Sequence, residues 1–171
     1  MNTASSLARP VPQPVVLKQV NKTVVYPASR KDYNGETFFQ TSSRLYVVSG
    51  FATHVGPRIR QVKPLRTMFG RSLELDSERV MLSELRRALP GDHCFEFSEL
   101  TIRLAQLLER RLTGDEERFG LVANTCWNLF FTPGLAVGTR WHAEYRMWCV
   151  DAWTLTEDFL CNRRTRVFLP S

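Results

Sequence analysis

The chain has 171 residues, 43% of them apolar, and a formal net charge of +6. This balance is typical of a single globular domain and excludes a disordered chain, and no apolar run is long enough for a transmembrane helix. The N-terminus lacks the long apolar segment of a secretory signal, so a cytoplasmic protein is expected, with a nuclear location as an alternative. The four cysteines form no Cys-x-x-Cys pair, which disfavours a disulfide framework and a zinc knuckle.

The charge is unevenly distributed along the chain. Residues 1–73 carry 11 basic and 2 acidic side chains, whereas residues 74–117 carry 6 basic and 11 acidic ones. Residues 118–171 are closer to balance, with 6 basic and 4 acidic side chains. The first part of the chain is therefore suited to phosphate or anionic lipid, and the middle part to a basic partner.

Residues 1–35 are predicted to form a flexible, extended arm, and residues 36–171 a single α+β core domain. The arm lacks Phe, Trp and Ile, which are common in a folded core. An extended backbone is favoured, and a helix is blocked, by four prolines: Pro10, Pro12, Pro14 and Pro27. We therefore expect the arm to be dispensable for folding.

The following segments predict a strand, a loop and two helices. The β-branched and aromatic run Arg44–Val55 predicts a strand, and the Gly- and Pro-containing residues 56–71 predict an irregular connection. Asp76 is a good N-cap for a helix that a Pro-Gly pair would stop. Ser98 caps a second helix, in which leucines recur at helical spacing.

The last third of the chain is predicted to be β-structure. Apolar residues alternate over 119–131, and a second strand from about Thr139 follows a Pro-Gly loop, which is the pattern of an antiparallel hairpin. A short final strand is expected over Thr165–Leu169. The predicted fold class is therefore α+β, an antiparallel sheet packed with two consecutive amphipathic helices, with the extended N-terminal arm.

His142 and Glu144 have the His-x-Glu spacing of a zinc deaminase. Apolar and polar side chains alternate over 140–149, however, which places both residues on the polar face of a half-buried strand. A zinc deaminase also needs a downstream Pro-Cys-x-x-Cys, and only Cys149 and Cys161 follow. We therefore predict that the chain is not an enzyme and uses no metal or cofactor. A Cys/His site assembled by the fold is the weaker alternative.

A basic segment between the first predicted strand and the first predicted helix is the main candidate binding site. It contains no acidic residue, and its cations are interleaved with apolar side chains. With a second cluster near the C-terminus, the predicted polyanion-binding residues are Arg58, Arg60, Lys63, Arg66, Arg71, Arg163, Arg164 and Arg166. They suit a nucleic-acid backbone, and equally an anionic membrane into which Leu65, Met68 and Phe69 would insert. A solvated connection whose apolar residues complete the core is the simplest alternative.

The arm LARPVPQPVV, the strand-like RLYVVSGFATHV and the basic VKPLRTMFG, followed by a closing sheet, resemble the organisation of small rhabdovirus matrix proteins. The resemblance implies a structural protein that self-associates and binds an anionic membrane and the nucleocapsid or RNA. Such a protein would lie in the cytoplasm, at the membrane or in the virion. The arm contains neither Pro-Pro-x-Tyr nor Pro-Thr-Ala-Pro, so a budding role lacks its usual motifs. The alternative function is a nucleic-acid-binding module, such as a viral suppressor of RNA silencing.

Overall fold

The computed structural model describes residues 14–26, 28–29, 35–59, 65–91, 94–112, 121–123 and 125–170. The strands within these residues are β1 (Leu17–Tyr26), β2 (Leu45–Val47), β3 (Met68–Leu75), β4 (Val80–Met81), β5 (Asn128–Thr132), β6 (Leu135–His142), β7 (Met147–Thr154), β8 (Leu160–Cys161) and β9 (Arg166–Pro170). The helices are α1 (Gly35–Phe38), α2 (Ser49–His54), α3 (Leu82–Ala88) and α4 (Phe97–Leu112), with a 3₁₀ turn at Gly56–Arg58.

Seven strands form one mixed sheet in the order β1-β3-β9-β5-β6-β7-β2, and β4 pairs with β8 in a separate two-stranded ribbon. Neighbouring strands of the large sheet are antiparallel except at β5–β9 and β2–β7, which are parallel. The long strand β1 and the short strand β2 are therefore the two edges.

Both faces of the sheet are covered at its centre. Leu129 and Phe131 of β5 pack with α3 on one face, whereas Phe130 packs with α4 on the other. The Phe130 ring stacks on that of Phe168 in β9, with centroids 4.8 Å apart. Because successive side chains of a strand point to opposite faces, a continuous apolar run such as that in β5 is buried on both sides. We call these two sides the α3 face and the α4 face.

The predicted antiparallel sheet with two helices packed on it is therefore wrong, although the chain is α+β in the broad sense. The sheet is mixed and dominates the fold, and the two consecutive helices lie on opposite faces of it. Asn128, a polar residue in β5, is fully buried. Its amide nitrogen donates to the carbonyls of Val122 and Thr139, both at 3.1 Å, so the buried polar group is satisfied.

The extended N-terminal arm of the predicted fold class also needs correction. Leu17–Tyr26 pairs antiparallel with β3, from Leu17 opposite Leu75 to Tyr26 opposite Met68, with two register shifts between Gln19 and Val24. Val24 and Tyr26 are buried, and the Tyr26 ring meets Phe95 edge-on at 5.4 Å. Residues 1–13 lie outside the described residues, and the division of the chain at residue 35 stays a prediction.

A buried cation ties α4 to this edge of the sheet. Arg103 is 3% exposed, and its guanidinium donates to the Glu99 carboxylate one turn earlier on the helix. It also donates to the backbone carbonyls of Tyr26 at 3.4 Å and Arg66 at 3.2 Å. One side chain therefore joins β1, the segment before β3 and α4. None of the helices in the described residues is both long and apolar enough to cross a bilayer.

Two predicted boundaries are moved by tertiary contacts. The predicted strand Arg44–Val55 is a strand only over β2, and α2 begins at Ser49. The helix predicted to start after Asp76 begins instead at Leu82, because the two preceding residues pair with β8. Asp76 accepts hydrogen bonds from Lys18 and Arg163 and caps no helix.

Other local predictions are confirmed. The second predicted helix is α4, although it begins one residue before its predicted cap, Ser98. β5 and β6 form the predicted antiparallel hairpin, but β5 is limited to Asn128–Thr132 and is buried on both faces, so the predicted alternation over 119–131 is wrong. β6 begins at Leu135, earlier than predicted. Gly134 in the turn has φ +91°, a backbone conformation that favours glycine. The final strand is β9.

Candidate functional site

The predicted basic segment is only partly described. Arg60 and Lys63 lie outside the described residues, whereas Arg58 and Arg66 are exposed. The Arg58 guanidinium lies 5.6 Å from the centre of the Phe97 ring, a cation–π contact at the start of α4. Arg71 is half-buried on β3. The segment therefore contributes exposed charge at Arg58 and Arg66, but it forms no single described patch.

Acidic partners partly neutralise the C-terminal basic cluster. Arg163 is bonded to Asp76 at 2.7 Å, and Arg166 to Glu74 at 3.2 Å. Arg164 is exposed at the turn before β9. The acidic partners come from the region that was predicted to meet a basic partner, so part of the charge asymmetry is satisfied within the chain. These two arginines are therefore poorer polyanion ligands than the sequence suggested.

The three predicted membrane-inserting residues are not exposed together. Leu65 is half-buried, and Met68 packs against the core on the α4 face. Phe69 is 56% exposed, because the alternation of strand β3 turns it to the opposite face from Met68. Of the three, only Phe69 is exposed.

The clearest candidate site is a pocket that the sequence did not predict. It lies on the α3 face where that helix no longer covers the sheet, over the strands β6, β7 and β2. Its volume is about 380 Å³, within the range of small-molecule sites. Its lining includes three aromatic rings, an imidazole and two opposite charges: Tyr46, Trp127, Tyr145, His142, Arg140 and Asp151. We call this the sheet pocket.

Strand register explains how these side chains meet. Tyr46 of β2 lies opposite Cys149 of β7, and Cys149 lies opposite Arg140 of β6. Two residues further along β7, Asp151 lies opposite Gly138. Side chains at such positions share one face of a sheet. The short Cys149 side chain leaves depth between the larger ones.

An aromatic wall separates the sheet pocket from the core under α3. The Trp127 and Trp153 rings meet edge-on at 4.8 Å, and Trp153 stacks on Phe159 at 4.1 Å. Gly138 makes this wall possible, because a Cβ there would lie 2.8 Å from the Trp153 ring and 2.9 Å from the Trp127 ring. The tryptophans therefore rest directly on the backbone of β6.

Arg140 packs against the aromatic wall and keeps N–H donors that are not used in hydrogen bonds within the described part of the chain. Its guanidinium carbon lies 4.6 Å from the centre of the Trp127 ring. Stacking of this kind holds the plane of the guanidinium and leaves its N–H groups free at the edges. Among the described residues, the buried Nε atom of Arg140 has no hydrogen-bond partner. Arg140 lines the pocket, and a cation with unused hydrogen-bonding capacity is suited to a ligand that brings an acceptor.

The floor of the pocket contains a carboxyl group with a perturbed pKa. Burial raises the pKa of Asp151 above its ordinary value, and backbone N–H groups of Ala152 and Phe51 together with the Arg140 charge offset part of this rise. Burial also raises the pKa of the Cys149 thiol, which disfavours the reactive thiolate. The pocket therefore offers one acceptor and one donor group, while its thiol is a poor nucleophile.

The predicted strand over 140–149 is interrupted, which corrects the interpretation of His142 and Glu144. β6 ends at His142, a turn follows, and β7 begins at Met147. Glu144 is exposed in the turn, and the His142 ring lies 5.9 Å from that of Tyr145 at the pocket. The alternation that indicated one strand continued by chance through the turn of a second hairpin.

No group of three or more His, Cys, Asp or Glu side chains in the described part of the chain is placed to hold a metal ion. His93 lies outside the described residues, and His54 contacts Glu157 at 3.4 Å. In comparisons with known proteins, no family model, no curated protein and no solved structure matches this chain.

Proposed function

We propose that the protein is a non-enzymatic binding protein that holds bases of a single-stranded nucleic acid in the sheet pocket. The observation that carries this proposal is the part of the sheet face that no helix of the described residues covers, where exposed aromatic rings surround a stacked arginine. Tyr46 is 46% exposed and Tyr145 is 62% exposed. Neither side chain belongs to the core, so both present a large aromatic area to solvent.

Exposed rings on a sheet face are a common way to bind unpaired bases. Each base stacked on an aromatic side chain contributes about 1–3 kcal/mol, whatever its sequence. Bases in a duplex are already stacked and paired, so the pocket favours single strands. The exposed Arg146, in the turn beside Tyr145, supplies a positive charge for a phosphate at the pocket mouth. Glu144 in the same turn opposes this charge, so stacking carries most of the expected affinity.

Replacement of Tyr145 by Ala is expected to weaken binding of a short, mixed-sequence single-stranded RNA by about fivefold to a hundredfold. The expected loss is the binding free energy of one stacked base, about 1–3 kcal/mol. A change of about 1.4 kcal/mol corresponds to a factor of ten in affinity. Fluorescence anisotropy of a labelled oligonucleotide measures it, and the melting temperature checks folding. Because Tyr145 is mostly exposed, this change removes little packing.

Phe69→Ala is the matched control, since Phe69 is an equally exposed aromatic ring on β3, outside the pocket. It should leave the oligonucleotide affinity unchanged. Equal affinities of the wild type and Tyr145→Ala, or an effect of Phe69→Ala alone, would contradict the proposal. A duplex of the same sequence should bind more weakly than the single strand.

The second candidate is the matrix-like function implied by the resemblance, with self-association and binding to an anionic membrane and nucleocapsid. The observation that favours it is that Phe69 and Arg66, three residues apart in the chain, are both exposed, so an aromatic group and a cation are available to a membrane surface. The long edge strand β1, with Val20 exposed on it and Val16 exposed just before it, supplies a surface for self-association. A cytoplasmic, peripheral-membrane or virion location belongs to this candidate.

Under this second candidate, the double change Arg66→Glu and Phe69→Ser is expected to abolish flotation with phosphatidylserine vesicles. It removes the exposed apolar group and reverses a charge worth about 1 kcal/mol near an anionic surface. Tyr145→Ala serves as the control and should float like the wild type. Flotation of the double variant with wild-type yield would exclude this surface as the membrane contact.

A further inference from the structure

We propose that the sheet pocket selects guanine over the other bases. This inference rests on the proposed function, because it names the base that the single-strand site prefers. It follows from the two opposite charges that the sheet places side by side among aromatic rings: Arg140, a donor, and Asp151, an acceptor.

The positions of these two residues are set by strand pairing. Arg140 lies opposite Cys149, and Asp151 is two residues further along β7, so the two side chains are diagonal neighbours on one sheet face. Cβ atoms in such positions are about 7–8 Å apart or somewhat closer, which leaves room for the edge of one flat ligand between the charged groups. The tryptophan rings cover Gly138, directly opposite Asp151, whereas the short side chain of Cys149 lines the open pocket.

Each group has hydrogen-bonding capacity left for a ligand. Trp127 holds the Arg140 guanidinium by one face, and the buried Nε has no partner among the described residues. Oδ1 of Asp151 accepts the Ala152 N–H at 2.8 Å, and the Phe51 N–H also bonds this carboxyl group. A carboxylate has about four acceptor positions, so about two remain. The pocket therefore presents adjacent donors and acceptors rather than a single charge.

Guanine matches this arrangement better than the other bases. Its O6 and N7 atoms are neighbouring acceptors that suit the planar donors of an arginine. Its adjacent Watson–Crick edge carries the N1–H and N2–H donors, which suit a carboxylate. Adenine would direct the N6 amino group at the guanidinium, leaving two donors facing each other. The pyrimidines have one ring and stack less area on the aromatic side chains. An unpaired polar group in a buried site is costly, so these mismatches discriminate.

The experiment uses the unmodified protein and short oligouridines that carry one central test base. The oligomer with guanine is expected to bind about tenfold more tightly than those with adenine, cytosine or uracil in the centre, as expected for one good bidentate contact. Inosine, which lacks the N2 amino group, and 7-deazaguanine, which lacks N7, should each lose part of this preference. The loss of affinity with inosine tests the contact to Asp151, and the loss with 7-deazaguanine tests the contact to Arg140. Neither test needs a protein variant.

A matched variant tests the residues. Asp151→Asn should reduce the preference for guanine over inosine, while Tyr145→Ala should weaken all oligomers alike and retain the preference. Equal binding of all test bases, with the Tyr145 effect intact, would overturn guanine selection and leave the single-strand function standing. Loss of the Tyr145 effect as well would overturn both. If Asp151→Asn does not fold, because Asp151 also bonds the backbone of α2, the inosine and 7-deazaguanine oligomers still decide the matter.

Discussion

Deletion of residues 1–26 is expected to abolish the cooperative unfolding transition of the chain. The deletion removes β1, exposes the edge of β3 and uncovers the site where Val24 and Tyr26 are buried. Full burial of a large apolar side chain contributes about 1.5–3 kcal/mol, so these two alone represent about 3–6 kcal/mol. Domains of this kind are stable by only about 5–15 kcal/mol, and the lost backbone hydrogen bonds of β1 come in addition.

Circular dichroism during thermal unfolding measures this effect, with size-exclusion chromatography to detect aggregation through the exposed edge. Val20→Ala is the control, because Val20 lies on the same strand but is 41% exposed, so its change should shift the melting temperature little. Tyr26→Ala should reproduce a large part of the deletion effect. If the melting temperature of the truncated chain lies within a few degrees of that of the full chain, β1 is an accessory strand. That outcome would support the sequence prediction that the arm is dispensable for folding.

Replacement of Arg103 by Leu is expected to lower the free energy of unfolding by about 3 kcal/mol or more. The change removes a buried cation from its carboxylate partner Glu99 and leaves the carbonyls of Tyr26 and Arg66 without this donor. Breaking a buried ion pair from one side costs about 3–5 kcal/mol, and each carbonyl left unsatisfied costs about 1–3 kcal/mol. Solvent reaches part of Glu99, which places the expected loss near the lower end of this range.

Urea denaturation of the wild type and the variant measures the loss. Arg87→Leu is the matched control, since Arg87 is an exposed arginine on α3, and it should change stability by no more than about 0.5 kcal/mol. The double variant Arg103→Leu with Glu99→Gln should recover part of the loss, because it removes the carboxylate that has lost its partner. Equal stability of the wild type and Arg103→Leu would contradict the role of this side chain as the link between α4 and β1.

Local signals in the sequence were sufficient for several elements. The leucine spacing of α4, the Pro-Gly turn of the β5–β6 hairpin and the β-branched run of β9 each specify their structure within a few residues. The reason is that helix periodicity and turn chemistry act between close neighbours in the chain.

Partners that are distant in the chain decided the rest. β1 was predicted to be a flexible arm because its proline-rich surroundings outweighed its β-branched residues, and its partner β3 lies about fifty residues away. The C-terminal cluster was predicted to be free charge, but Arg163 bonds Asp76 at a separation of 87 residues. The residue pattern within each segment gives no information about a partner so far away in the chain.

The sheet pocket shows the same limit at the level of function. No sequence motif connects the pocket residues Tyr46, Trp127, Arg140 and Asp151. They meet because the sheet order places β2, β7 and β6 side by side, and because α3 covers only part of that face. The residue types were present in the sequence, but long-range strand pairing determined which of them share a face, since register sets both the neighbour and the side on which a side chain points.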